Sequence, residues 1–161
     1  MSLFVQSTPA PQPKTNNTIW VSLALAAIMV VLAVAQLYKF EHFPEVIANL
    51  GLPGGAAWSS IYAALLVVGE VMALPFLLRM TLSPAMRVAS MVSGWLVIAG
   101  WLCIAVWSNL GIDGGVNSGV LGATIPIVLG WWMVCVFIAL GVLAAWSAWG
   151  MWPCRNGVIK R

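Results

Sequence analysis

Four long apolar stretches, at about 18–38, 58–80, 85–109 and 120–151, constrain this chain more than any other feature. A helix of about 20 residues rises roughly 30 Å, which matches the hydrocarbon thickness of a bilayer. Inside that layer every backbone N–H and C=O has to be paired within the protein, so a segment of this kind crosses as a helix. The reading is therefore an all-α, integral membrane four-helix bundle. Composition excludes the main alternative. Only 7% of residues are charged and 62% are hydrophobic, with a mean hydropathy of +1.00. A water-soluble domain carries about 25% charged residues, so this chain has too few to cover a surface in water. Its 161 residues make one membrane domain with no room for a separate soluble one.

The first stretch also raises the question of a cleaved leader, because Ala33-Val34-Ala35 has the small-residue spacing of a signal-peptidase site. The apolar run is longer than the usual core of about 7–15 residues in such leaders. The polar residues ahead of it contain Lys14 alone as a charge. We read it as a span. Residues 1–17, with Pro9, Pro11 and Pro13 among Ser, Thr and Asn, read as a flexible or partner-bound tail with nothing to bury.

The segment at 39–57 has a different character. It concentrates Lys39, Glu41, His42 and Glu45. Phe40, Phe43, Val46, Ile47 and Leu50 fall on one helical face, with Glu41, Glu45 and Asn49 off it. Pro44 suits a first turn, and Gly51, Pro53, Gly54 and Gly55 end the pattern. This predicts a short helix in the membrane interface. Further on, Ser83-Pro84 is an N-cap and first-turn pair for the third span. Ala89/Ser93 and Ser90/Gly94 have the small-residue spacing that lets helices approach closely. Pro126 is expected to kink the start of the fourth span, and 153–161 forms a second tail.

Charge sets the orientation. Lys14, Arg79, Arg87, Arg155, Lys160 and Arg161 fall on one side of a four-span arrangement, and Lys39 alone falls on the other with Glu41, Glu45 and Asp113. Excess Lys and Arg marks the cytoplasmic face, so both termini are expected inside, in a bacterial-type inner membrane. The net charge of +3 is spread among apolar segments with no basic run, which gives no reason to expect nucleic acid as a partner.

Glu70 is the most informative residue. An acid near the bilayer centre costs about 2.5–3.5 kcal/mol on insertion scales, so it should face the bundle interior and find a partner or a proton. Pro75 frees the carbonyl of Val71 beside it, a second hint of a polar spot. Two readings stand: a proton site or hydrogen-bond partner for a quinone-like ligand, and a buried interhelical hydrogen bond that holds the bundle together. Lys39 closes the first span. Glu70 lies roughly 18 Å below Trp58 at helical rise, so a Lys39–Glu70 pair would need the intervening segment to dip inward; snorkelling to the interface is the simpler reading.

His42 is the only histidine and cannot make a haem or zinc site alone; it reads as a solvated interfacial residue, or as a supporting ligand to a partner's pigment or metal. Among ten tryptophans, Trp20, Trp58, Trp107, Trp146, Trp149 and Trp152 suit interface belts, while Trp95, Trp101, Trp131 and Trp132 read as deeper. The deeper set, Trp95 and Trp101 above all, would pack helices or wall a quinone, isoprenoid or lipid. Cys103, Cys135 and Cys154 form no C-x-x-C pair and read as packing residues, so neither a disulfide nor a metal site is expected. No nucleotide loop, nucleophile elbow or metalloprotease motif is present, and no catalytic residue is assigned.

One resemblance bears on function. Gln36-Leu37-Tyr38-Lys39-Phe40 closes the first span, Leu50-Gly51-Leu52-Pro53 precedes the second, and Gly69-Glu70-Val71 lies within it. This order, over about 32–101, resembles the DoxX-like group of small four-helix membrane proteins, which includes the DoxD subunit of thiosulfate:quinone oxidoreductase and the MauE-type proteins. In that group a Lys closes the first span, a G-x-P precedes the second and a Glu lies within it; here these are Lys39, Gly51 with Pro53, and Glu70. Where the group often has a Gly pair after the Glu, this chain has Met72-Ala73-Leu74-Pro75, and it lacks the cysteine pairs of MauE-type members. The resemblance implies membrane redox biology, often as one subunit among several. Three functional readings follow in order: a non-catalytic subunit of a larger membrane complex, in contact with lipid or quinone; a quinone-linked redox or proton-handling component centred on Glu70; and a small transporter or channel.

Overall fold

Each of the four apolar stretches forms a helix long enough to cross a membrane in the computed structural model, which describes residues 8–111 and 116–152. The helices are α1 (Asn16–Leu37), α3 (Gly55–Leu77), α4 (Pro84–Gly111) and α5 (Trp131–Met151), with the short α2 (Phe43–Ala48) between the first two. Apart from two isolated β-bridges, the described residues are helix, turn and loop. In the ring of four, α1 packs on α3 and α5, and α4 packs on the same two. The chain is thus an all-α membrane bundle, a multi-pass protein whose outward faces meet lipid. The expected tail at 153–161, with Cys154, and Asp113 in the α4–α5 connection lie outside the described residues.

The interior is built from side chains of all four long helices, among them Leu25 and Met29, Ala63 and Val67, Ile98 and Trp101, and Met133 and Phe137. Small residues bring α3 against α4. A β-carbon on Gly69 would collide with Val97, and one on Gly94 would press on Ala73. Ser90 and Ser93 turn to the same seam, where Ser93 Oγ donates to the Gly69 carbonyl at 3.0 Å. Ser90 repairs the break that Pro75 makes in α3. Its hydroxyl donates to the Met72 carbonyl at 2.6 Å and accepts from the Phe76 N–H at 3.0 Å. The α3–α4 turn reverses through Arg79 at φ 57°, and Ser83 Oγ caps α4 by accepting from the Met86 N–H.

The chain leaves α1 through Lys39 in a left-handed conformation (φ 58°), passes a single 3₁₀ turn at Phe40–His42, and enters α2 with Pro44 in its first turn. Phe43, Ile47 and Leu50 are fully buried. Their face packs on α3 and on Gly119 of the α4–α5 connection, so α2 spends its apolar side on protein.

Two segments differ from the sequence reading. The fourth helix starts at Trp131 and not near Val120. Residues 116–130 instead form a looped-back segment, with Asn117 bridged to Val128 and backbone bonds from Ser118 to Ile127 and from Leu129 to Val116. Asn117 Oδ1 accepts from the N–H groups of Gly119 and Ile127. Gly119 and Gly122 at φ 74° and 68°, with Pro126, stop a helix here. Val120 and Leu129 of this stretch are buried on the bundle while Ile125 and Val128 are exposed, and Trp131 and Trp132 sit exposed at a helix start where depth was expected. The second difference is at the N-terminus, where residues 8–15 are a docked strap and not a free tail. Thr8 pairs with Leu82 through both backbone bonds, Arg87 holds Thr8 and Pro9, and the Lys14 N–H donates to the Gly150 carbonyl.

The looped segment yields a first expected result. A β-carbon on Gly122 would stand 2.5 Å from the Ala35 carbonyl oxygen, on a backbone that already favours glycine. Gly122→Ala should cost more than the roughly 1–2 kcal/mol of a left-handed residue. Gly119→Ala should cost less than Gly122→Ala, because it meets the yielding side chain of Val46. Melting temperatures in detergent compare the two; equal values would mean that the segment does not rest on α1.

Candidate functional site

Two places in the bundle could carry function: a closed polar cluster around Glu70, and an apolar groove beside it. The cluster is built by three helices. Glu70 is on α3, Gln36 in the last turn of α1, and Trp101 on α4, all with no exposed surface. Gln36 Nε2 donates to Glu70 Oε1 at 3.0 Å, and Trp101 Nε1 donates to the same oxygen at 3.1 Å. Gln36 Nε2 also donates to the Val120 carbonyl at 3.2 Å, which ties the looped segment into the cluster. The Trp101 ring lies nearly parallel to Phe137 of α5, with centroids 5.7 Å apart. The cluster therefore links every long helix. Glu70 Oε2 and Gln36 Oε1 have no hydrogen-bond partner among the described residues.

Lys39 stays outside this arrangement. It is exposed at the end of α1, and the groups that meet Glu70 are two neutral N–H donors. His42 lies between Glu41 and Glu45, 3.6 Å from each carboxylate, with all three side chains exposed on the 39–57 segment. Trp95 is part-exposed on α4 and removed from Glu70's hydrogen bonds. Among the described residues no three His, Cys, Asp or Glu side chains converge as metal ligands would.

The groove runs between α3 and α4 and has a volume of about 580 Å³. Gly69, Ser93 and Val97 form its deep end, and Leu52, Pro53 and Trp107 its other end. Ser93 and Trp107 are separated by a helical rise of about 20 Å. Leu65, Val68, Leu96 and Trp107 on its rim are exposed, so it opens sideways toward lipid. Its polar groups are occupied by the protein's own backbone. Tyr62 Oη donates to the Pro53 carbonyl, Trp107 Nε1 to the Gly51 carbonyl and Ser93 Oγ to the Gly69 carbonyl. Cys103 is the remaining reactive side chain in the wall, and it is exposed there. Glu70 is not part of the wall, although its neighbour Gly69 is.

Sequence reasoning singled out Glu70 and Trp101 and overlooked Gln36 as their partner. A signal was available, since Gln36 is a polar amide in an otherwise apolar span and such a group needs an interhelical partner. The groove left no comparable mark, because a gap between apolar helices depends on how small residues such as Gly69 and Gly100 are distributed across two faces. Comparison with protein-family models, curated proteins and solved structures finds no match to this chain.

Proposed function

We propose that this chain is a small accessory subunit of a larger membrane complex, which holds an isoprenoid, quinone-tail or lipid chain between α3 and α4 and carries no catalytic centre of its own. The observation behind this reading is the groove, whose hydroxyl and indole donors are all spent on backbone carbonyls. A wall of that kind selects by shape and dispersion, which suits a hydrocarbon chain and gives a polar substrate nothing to bind. Trp107 and Tyr62 mark the end where a head group would meet the interface. The DoxX-like resemblance supports a redox setting among other subunits. The basic bias supports an inner membrane of bacterial type with both termini in the cytoplasm.

Solubilisation in a mild detergent tests the reading directly. The chain should co-purify with other membrane proteins and with bound isoprenoid or lipid. Recovery as a lone, monodisperse, ligand-free polypeptide would sink it. Cys103 supplies a local probe, because Cys135 is also exposed but lies on α5, outside the groove. A short-chain quinone should slow alkylation of Cys103 by an apolar maleimide and leave Cys135 unaffected. Equal rates at both positions, with and without quinone, would remove the groove as a binding site.

A second reading rests on the two unpaired buried oxygens, Glu70 Oε2 and Gln36 Oε1. Such atoms suit a proton-handling position in a quinone-linked component.

A further inference from the structure

Among the described residues, the strap end of the bundle has cations and no anions. Arg79 and Arg87 flank the α3–α4 turn, and Lys14 lies on the strap with its ammonium 4.5 Å from the centre of the Trp149 ring. The groups that meet the two arginines are neutral. Arg87 Nη2 donates to the Thr8 carbonyl at 3.0 Å, to Thr8 Oγ1 at 3.1 Å and to the Pro9 carbonyl at 3.1 Å. Arg79 Nη2 reaches the Pro11 carbonyl at 3.5 Å, and its Nε is buried without a partner. The carboxylates among the described residues are Glu41, Glu45 and Glu70, and none is at this end. Among the described residues, the side chains of this end supply no counter-charge.

An apolar groove begins beside Arg87. A cavity of about 150 Å³ is bounded by Phe76 of α3, Arg87, Val88 and Met91 of α4, and Met151 with Trp152 at the end of α5. It is a separate space from the larger groove, with no residue in common. Among the described residues Arg87 is the one charged group on its wall, and they hold its guanidinium through Nη2 alone. A guanidinium carries five N–H donors, so Nε and Nη1 remain for a ligand, and their fork geometry suits a phosphate. The N-terminus of α4 lies at the same turn and adds its partial positive charge.

We infer that this end holds an anionic phospholipid, with its phosphate at Arg87 and Arg79 and the start of one acyl chain in the Phe76–Met91–Met151 groove. Charge complementarity identifies the occupant: three cations without a carboxylate, at the end of spanning helices, beside a slot wide enough for hydrocarbon. A soluble phosphate would leave that slot empty, and a zwitterionic lipid would bring a compensating cation of its own. The inference is independent of the larger groove, since Cys103 protection tests a different cavity.

Native mass spectrometry of the delipidated chain with equal amounts of phosphatidylglycerol and phosphatidylcholine of identical acyl chains tests this. Phosphatidylglycerol should be retained preferentially, and excess inorganic phosphate should not displace it. Arg79→Gln and Arg87→Gln should each cut the preference about fivefold, the effect of one basic residue at an anionic surface. Met91→Trp should reduce retention with both arginines in place, by filling the slot. Lack of preference in the wild-type chain overturns the inference without recourse to any variant. Displacement by phosphate overturns it in favour of a soluble anion, and retention unchanged by Met91→Trp overturns the acyl-chain placement.

Discussion

Trp101→Ala is expected to be the most damaging single substitution in the bundle, with a loss of about 3–5 kcal/mol. Three contributions combine. The indole is fully buried, so its removal leaves a cavity between α3, α4 and α5. Its stacking on Phe137 is lost, and so is the N–H that Glu70 Oε1 accepts. Lipid surrounds the bundle, so exclusion from water contributes less than in a soluble core, but the lost dispersion contacts and hydrogen bond remain. Trp101→Phe preserves the stacked ring and removes the donor, and should cost about 1–3 kcal/mol. Loss of helicity on titration with a denaturing detergent measures both. Trp95→Ala is the control, because Trp95 is part-exposed. If Trp101→Ala costs no more than Trp95→Ala, the packing described at the cluster is wrong.

Glu70 carries the second large effect, and here the choice of replacement decides what is learned. Glu70→Leu leaves the Trp101 N–H without an acceptor and the Gln36 amide with the Val120 carbonyl alone. Each buried group left unpaired costs about 1–3 kcal/mol. Glu70→Gln retains a carbonyl oxygen at the Oε1 position and should stay within about 1 kcal/mol of the parent. A double-mutant cycle between Gln36→Leu and Glu70→Leu should give a coupling of about 0.5–3 kcal/mol. The conservative variant also separates the two functional readings. With the bundle intact, quinone reduction in the membrane should be unchanged by Glu70→Gln if the chain is an accessory subunit. Loss of turnover at unchanged stability would transfer the conclusion to the proton-handling reading.

The parts of this fold that were legible in the sequence are those governed by local pattern. Four apolar stretches gave four spanning helices, and the spacing of Phe43, Ile47 and Leu50 gave α2 its buried face. Ser83-Pro84 marked the start of α4, and Ser90, Ser93 and Gly94 lie at the α3–α4 seam that their spacing suggested. What failed has a common cause. Hydropathy at 120–130 marks apolar residues that are partly buried on the bundle and partly exposed, as at Ile125 and Val128, and Gly119, Gly122 and Pro126 argue for a turn there. Pro75 and Glu70 looked like two signs of one polar spot. They are separate links, because Ser90 bonds the broken turn while Gln36 and Trp101 meet the carboxyl. Partners that lie far apart in sequence, such as Thr8 with Leu82 or Gln36 with Val120, leave no periodic trace.

The strap has a consequence for the order in which this molecule is made. Thr8 and Lys14 leave the ribosome before α1, yet their partners are Leu82, Arg87, Trp149 and Gly150. Lys14, which precedes α1, thus waits for the end of α5. Docking at Lys14 closes the bundle only after α5 has been threaded beside α1, where Gly150 leaves just enough room for Thr18. A chain halted before α5 would already offer the strap carbonyls Leu82, Arg79 and Arg87, but would leave the Lys14 N–H without the Gly150 carbonyl and its ammonium without a ring. Engagement of Lys14 therefore reports that α5 is in place, at the opposite end of the bundle from α2.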